Sequence, residues 1–355
     1  MNPVSLYDME KMAKQIMPHD LWDYVAGGAT DEITIRRNRE AFDSIMTRPR
    51  FLVDVSNLDT STTILGTRIS FPVMAAPTGS QWAAHPDAEV AVAKATQTVG
   101  TLMAVPTGAS HTLEEIAAAT SGPLWFQLYH LDDEVTEFHV KKAKDAGYSA
   151  ICLTAGSAGG IAKERDIRNN YNPSATEAWA DIKNEPHLRA KVESVDRTVN
   201  SGLTWSRLEW LRSITGLPLI VKEILTAEDA RRCVEHGVDG IVVSNHGGRS
   251  FDTVPASIDM LPEIVDAVNN KAEVYLDSGV RRGTDVLKAL ALGARAVLVG
   301  RPLFWGLAID GEAGVRNMFE TLRDEFDRAM AFCGCNNVAE INETHVIKRG
   351  GCWVK

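Results

Sequence analysis

The stretch from Ile241 to Asp252 reads I-V-V-S-N-H-G-G-R-S-F-D and sets an imidazole, His246, three residues before a permanent cation, Arg249. An imidazole changes charge near neutral pH and can take or give a proton, while a guanidinium can grip a carboxylate through two parallel hydrogen bonds. Gly247 and Gly248 between them allow the backbone to approach a bound molecule closely. An isolated H-G-G-R is equally what a surface glycine turn looks like, so its surroundings have to decide. The apolar run ending at Ser244 has the composition of a buried parallel strand that then emits a loop.

Such a strand needs partners. Apolar runs predict strands over Val73–Ala76, Leu102–Val105, Leu124–Tyr129, Ala150–Thr154, Leu219–Lys222, Gly240–Ser244, Val274–Asp277 and Ala296–Gly300. Helical patterns separate most of them, at Ala88–Val99, Thr112–Thr120, Asp133–Ala146, Thr226–His236 and Gly283–Leu292. This alternation predicts an α/β fold, a closed (β/α)8 TIM barrel with an N-terminal helical extension and a long loop after strand 4. A doubly wound sheet would show a G-x-G-x-x-G after its first strand, where this chain has A-A-P-T-G-S.

A barrel directs the C-terminal ends of its strands toward one site. Those ends carry Pro77, Thr78 and Gly79, then Pro106 and Thr107, Gln127 and Tyr129, Thr154, Lys222, Ser244 with His246 and Arg249, Asp277 with Arg281, and Gly300 with Arg301. The last two loops, D-S-G-V-R-R-G-T-D and V-G-R-P, put glycines and arginines before helices, as backbone amides and a helix N-terminus do when they hold phosphate. Together these ends suggest a phosphorylated cofactor across the barrel mouth.

The blocks Y-V-A-G-G at Tyr24, D-T-S-T at Asp59, A-P-T-G at Ala76, W-F-Q-L-Y at Trp125, T-W-S-R-L-E-W-L at Thr204, S-N-H-G-G-R at Ser244, D-S-G-V-R-R-G at Asp277 and G-R-P at Gly300 follow one another in a fixed order. In this the chain resembles the FMN-dependent α-hydroxy-acid oxidase and dehydrogenase family over nearly its whole length. The resemblance implies FMN as cofactor and oxidation of a small anionic 2-hydroxy acid to the 2-oxo acid, with oxygen or another electron acceptor reoxidising the flavin. It implies that Thr78, Gln127, Thr154, Lys222 and Ser244 contact the ring or ribityl chain, and that Asp277, Arg281, Gly300 and Arg301 form the ribityl and phosphate site. Pro77 and Gly79 beside Thr78, and Gly279 in the seventh-strand block, belong with this cofactor set. His246 matches the catalytic base, Arg249 the carboxylate-binding arginine, and Tyr24 and Tyr129 the tyrosines around the same substrate. Relatives being commonly tetramers, the resemblance also implies a homotetramer.

Strand 4 departs from the pattern. The family reads T-x-D-[ST] and, further on, G-x-R, whereas here Gly156 takes the Asp position and Lys163 the Arg position of the substrate site. Without that Asp, His246 is expected to be a weaker base unless another carboxylate intervenes, and restoring it by Gly156→Asp is expected to raise activity. Lys163 exchanges a bidentate fork for a point charge, with Arg165 or Arg168 as substitutes that could swing in. Pro106 stands where the family commonly has Ser. Two further readings therefore stay open: an FMN oxidase of the same fold acting on an amine, lactam or peptide-derived group, and a flavin-binding scaffold with impaired turnover.

Composition sets the limits. A net charge of −10 with no basic cluster excludes nucleic acid and anionic membrane as partners, and no apolar run is long enough to span a bilayer. Met1 to Lys14 is not a signal sequence, so a cytoplasmic location is expected. Cys152, Cys233, Cys333, Cys335 and Cys352 read as reduced structural thiols, with no metal site expected. One domain is expected over 1–355: helices in 1–50, barrel in 71–310, a loop or lid at 157–203 with Tyr171 and Trp179 as its aromatics, and a C-terminal helix and tail in 311–355.

Overall fold

A computed structural model describes residues 3–156, 162–171, 173, 179–194 and 203–348. Eight parallel strands close on themselves in sequence order: β1 (Val73–Ala75), β2 (Met103–Pro106), β3 (Leu124–Leu128), β4 (Ala150–Thr154), β5 (Leu219–Ile224), β6 (Gly240–Val243), β7 (Glu273–Leu276) and β8 (Ala296–Val299). Each is buried on both faces, which is why it reads as an apolar run. Expected strand-end residues Tyr129, Ser244, Asp277 and Gly300 fall just past the ladders.

Side chains of period two divide the core. Met74, Ala104, Trp125, Cys152, Ile220, Val242, Tyr275 and Leu298 fill the barrel interior, with Trp125 and Tyr275 edge to face at 5.4 Å. The alternate residues, among them Val73, Phe126, Leu153 and Val221, pack outward against the helices. A hairpin, Thr62–Ile64 with Thr67–Ile69, inserts Ile64 and Ile69 into the interior cluster and so plugs one end. Moving along the same inward parity, the next residues on β3, β4 and β5 are Gln127, Thr154 and Lys222, and those just beyond β6 and β7 are Ser244 and Asp277. The interior thus changes from apolar to polar within one side-chain layer.

Three N-terminal helices, Leu6–Ile16, His19–Ala26 and Ile33–Asp43, cover the barrel's flank. The first starts at Ser5, whose hydroxyl accepts from the Asp8 amide at 3.2 Å, and buries Leu6, Met9 and Ala13 at helical spacing. Residues Ile45–Thr47, expected to be helical, instead form a strand antiparallel to Val346–Lys348. The C-terminal helix begins before the expected boundary, running Arg301–Cys333 with a break at Asp310 and Gly311, where Gly311 has φ 50°. Cys152, Cys233, Cys333 and Cys335 are buried and unbridged, while Cys352 lies outside the described residues.

Candidate active site

A cavity of about 1000 Å³ opens at the C-terminal ends of the strands. Its wall includes Tyr24, Pro77, Thr78, Gly79, Gln127, Tyr129, Lys163, Lys222, His246, Arg249, Asp277, Gly279, Arg281, Gly300 and Arg301. Two expected cofactor residues do not reach the wall. Thr154 and Ser244 lie buried behind it, where the Thr154 hydroxyl accepts from Gln127 Nε2 at 2.9 Å and the Ser244 hydroxyl accepts from Lys222 Nζ at 2.9 Å. Both hydroxyls thus brace the polar ends of the side chains in front.

Lys222 also meets the Asp277 carboxylate at 3.0 Å. Burial alone would push its ammonium down, but Asp277 and Glu223 outweigh that and hold it above its ordinary value. The cavity therefore has a fixed cation facing it from β5.

The loop after β6 takes a left-handed course, with φ 54° at His246, 65° at Gly247 and 74° at Gly248. Only glycine accepts such angles freely, and at Gly248 a side chain would in addition meet the backbone of Ile35 at 2.9 Å. Asn245 fixes the turn from below: its amide exchanges bonds of 2.9 and 2.7 Å with Asn38, and its Oδ1 accepts from the Gly248 amide at 3.1 Å. Gly28 packs so near this loop that a Cβ would stand 2.7 Å from the Gly248 carbonyl, which accounts for the G-G pair after Tyr24. Arg249 Nη1 donates to the carbonyls of Tyr24 and Gly27, and its guanidinium lies 4.8 Å from the Tyr24 ring centroid. Tyr24 in turn meets Tyr171 edge to face at 6.0 Å.

The missing Asp at position 156 is answered by a residue that sequence reasoning passed over. Glu223, its side chain 6% exposed, bonds His246 Nδ1 through Oε1, and the Ser250 hydroxyl donates to the same oxygen at 3.2 Å. Burial would push the Glu223 carboxyl up, yet His246, Lys222 and Ser250 hold it below its ordinary value. The expectation of an unsupported His246 is therefore corrected. A Cβ at Gly156 would stand 1.7 Å from Glu223 Oε2, so Gly156→Asp would have to displace the carboxylate already on His246. A strand residue next to inward-facing Lys222 should point outward, and Glu223 escapes this rule because it sits at a register shift, with Lys222 opposite Val242 and Ile224 opposite Val243, and has φ 78°.

Tyr129 completes this side of the cavity, and burial, with Glu223 and Tyr24 adding to it, keeps its phenol protonated far above the ordinary range. Lys163 lines the wall and makes no ion pair among the described residues; burial and the nearby Arg249 push it down to about 8. Asp166, also unforeseen, lines the same wall, and burial raises its carboxyl despite the attraction of Arg249 and Lys163. Neither proposed substitute swings in. Arg165 is tied to Asp23 at 3.2 Å and Glu32 at 2.6 Å, and Arg168 pairs with Glu164 on the surface. Of the expected lid, residues 162–171, 173, 179–194 and 203 are described; they contribute Tyr171 and Trp179 to the wall and include the helices Glu164–Asn169 and Pro186–Ser194.

Arg301 lines the cavity and also braces backbone: three of its donors lie on carbonyls, Nε on Val25 at 2.9 Å, Nη1 on Gly247 at 2.9 Å and Nη2 on Gly27 at 3.0 Å, so it clamps the helix His19–Ala26 to the loop after β6. Burial together with Arg249 and Arg281 pushes it down to about 9. Arg281 is stacked 4.8 Å from the Trp305 ring, with Nη1 on the Val280 carbonyl at 2.8 Å, and is itself lowered by burial. Beside it the helix Arg301–Cys333 presents its N-terminus at Gly300. Arg281 opposes the charge of Arg301, and neither makes an ion pair among the described residues, so beside the helix N-terminus a phosphate is the group that fits. A cavity that combines this anion seat with Gln127, Lys222 and His246 on its wall fits FMN.

A family model for FMN-dependent dehydrogenases matches residues 13–348. "Glycolate oxidase 3" of Arabidopsis thaliana is 46% identical over 359 residues, covering 98% of this chain and 96% of that protein. A soluble mutant of the membrane-associated (S)-mandelate dehydrogenase of Pseudomonas putida superposes with a TM-score of 0.92 at 34% identity, over 98% of this chain and all of that one (100%). Mandelate oxidase with benzoyl-formic acid superposes with a TM-score of 0.89 at 40% identity, over 99% of each chain.

Proposed function

This chain belongs to the FMN-dependent dehydrogenase family, and on that premise we propose that it oxidises a small 2-hydroxy acid to the 2-oxo acid, with His246 as base. The observation that carries this reading is the pairing, on one loop, of an imidazole whose Nδ1 is already engaged by a carboxylate with the guanidinium of Arg249 at the same cavity wall. With Nδ1 occupied, Nε2 is the nitrogen left to take the hydroxyl proton. Arg249 and Lys163 supply positive charge for the substrate carboxylate, and Tyr129, kept protonated, donates a hydrogen bond to its oxygens. Gln127 and Lys222 would face the FMN ring, and Arg281 with the helix N-terminus at Gly300 would hold the phosphate. When bound, FMN supplies the acceptor for the α-hydrogen and its two electrons. Oxygen or another acceptor then takes those electrons away.

The relatives named for glycolate and mandelate support a hydroxy-acid substrate. The competing reading of an amine, lactam or peptide-derived substrate drew on Gly156 and Lys163 in place of the usual Asp and Arg, and Glu223 answers the first of these by supplying a carboxylate to His246. Anaerobic mixing of the FMN-loaded protein with a panel of 2-hydroxy acids tests the reading. Bleaching of the flavin by at least one of them, abolished in His246→Ala, is expected; bleaching only by amines or lactams, or by nothing, would overturn it. A tetramer remains part of the proposal on family grounds, with light scattering as the check on assembly, and a cytoplasmic location remains part of it on the character of the sequence at Met1 to Lys14.

A further inference from the structure

We propose that Glu223 is the positioning residue for His246 and that Gly156 is the opening that seats it. The proposal rests on the reading of His246 as the base. Its first support is contact: Glu223 Oε1 engages His246 Nδ1 and also receives the Ser250 hydroxyl at 3.2 Å. An engaged Nδ1–H fixes one tautomer and one ring orientation and leaves the Nε2 lone pair toward the cavity. When the substrate O–H bond breaks and an N–H bond forms at Nε2, the ring becomes an imidazolium beside an ionised carboxylate. The proton stays on the ring, and Glu223 remains ionised.

The second support is backbone geometry. Glu223 holds φ 78° at a register shift in β5. Such a conformation is disfavoured for any residue with a side chain and favours glycine, so a buried glutamate here needs a reason. The reason is direction: the shift turns the side chain out of strand alternation and toward the β6 loop.

The third is complementarity with β4. Glu223 Oε2 is buried, has no hydrogen-bond partner among the described residues, and occupies the space a Gly156 side chain would need, 1.7 Å from its Cβ position. Residues 156 and 223 cannot both carry a carboxylate toward His246. The two positions form one site with a single acid, delivered here from β5.

Four variants test this. In Glu223→Gly the strained backbone is relieved, so FMN binding is kept and the melting temperature stays the same or rises, while kcat falls roughly 10²- to 10⁴-fold as for other lost imidazole-orienting carboxylates. Gly156→Asp alone loses activity through the clash. Glu223→Gly combined with Gly156→Asp delivers the acid from β4 and recovers at least about tenfold over Glu223→Gly, in the range typical of supporting residues. Nitrogen-15 NMR of His246 should show the Nδ1–H tautomer in the wild type and a mixture in Glu223→Gly. A Glu223→Gly enzyme within threefold of wild-type kcat, a double variant no better than that single, or an unchanged tautomer would each overturn the proposal. Full turnover in His246→Ala would instead sink the base reading itself, whatever the Glu223 variants do.

Discussion

Lys163 and Arg249 face the same cavity as two cations of different kinds. Burial and the neighbouring Arg249 push Lys163 down to about 8. The sign follows from linkage. The folded ammonium discharges as pH rises through about 8, while the unfolded one keeps its proton to about 10.4, so folding gains stability over that window while anion grip is lost. KM for a carboxylate substrate is therefore expected to rise above pH 8 in the wild type and to stay level in Lys163→Arg; steady-state kinetics across pH 6.5–9.5 decides, and parallel profiles would refute it. The lysine at 163 was legible in the sequence, as were His246, Arg249 and Tyr129. Glu223 was not, because period-two reasoning assigns it the face opposite Lys222, and only the shifted register between Lys222 and Ile224 reverses that. The backbone clamp made by Arg301 was not legible for a different reason: its partners Val25 and Gly27 are remote in sequence, and nothing local announces them.

At the scale of elements, the site depends on how the loop after β6 is anchored to the helix Ile33–Asp43. Asp252, which closes the I-V-V-S-N-H-G-G-R-S-F-D stretch, accepts from the amides of Thr34 at 2.7 Å and Ile33 at 3.1 Å and from the Thr30 hydroxyl at 3.1 Å. It caps that helix from another part of the chain. Burial would raise its carboxyl, but these bonds hold it far below the ordinary range. A depressed carboxyl contributes stability above its unfolded value near 3.9 and loses it as pH falls toward the folded one. Asp252→Ala is expected to cost about 1–2 kcal/mol at pH 7, with the gap from wild type narrowing below about pH 4. Urea melts at both pH values check this, and a gap that does not narrow in acid would refute the capping role. The barrel itself was readable because strands buried on both faces must be apolar along their length. The short strand Ile45–Thr47 was not readable, since three residues paired with Val346–Lys348 carry no periodicity of their own.

For the whole molecule, charge is distributed against its average. The chain carries −10 overall, yet Arg249, Arg281, Arg301, Lys163 and Lys222 converge on one cavity. Lys222 is balanced by Asp277, but Arg249 opposes the charge of both Arg301 and Lys163, and Arg281 that of Arg301, so anion binding and folding are coupled. Apoprotein is expected to gain melting temperature in inorganic phosphate beyond its gain in chloride of equal ionic strength. FMN at about 100 times its Kd should add about 2.7 kcal/mol. Calorimetry would show it; equal effects of phosphate and chloride would mean that the arginines are balanced from within.

The clasp between Ile45–Thr47 and Val346–Lys348 has a consequence for biosynthesis. The helix bearing Tyr24 leaves the ribosome early, but Arg249 and Arg301, which hold its last carbonyls, and the strand that fastens the segment behind it arrive late. Until they do, that helix lacks the arginine clamp that ties it to the loop after β6. A nascent chain stalled before residue 300 would hold most of the barrel strands without the three carbonyl bonds that Arg301 supplies.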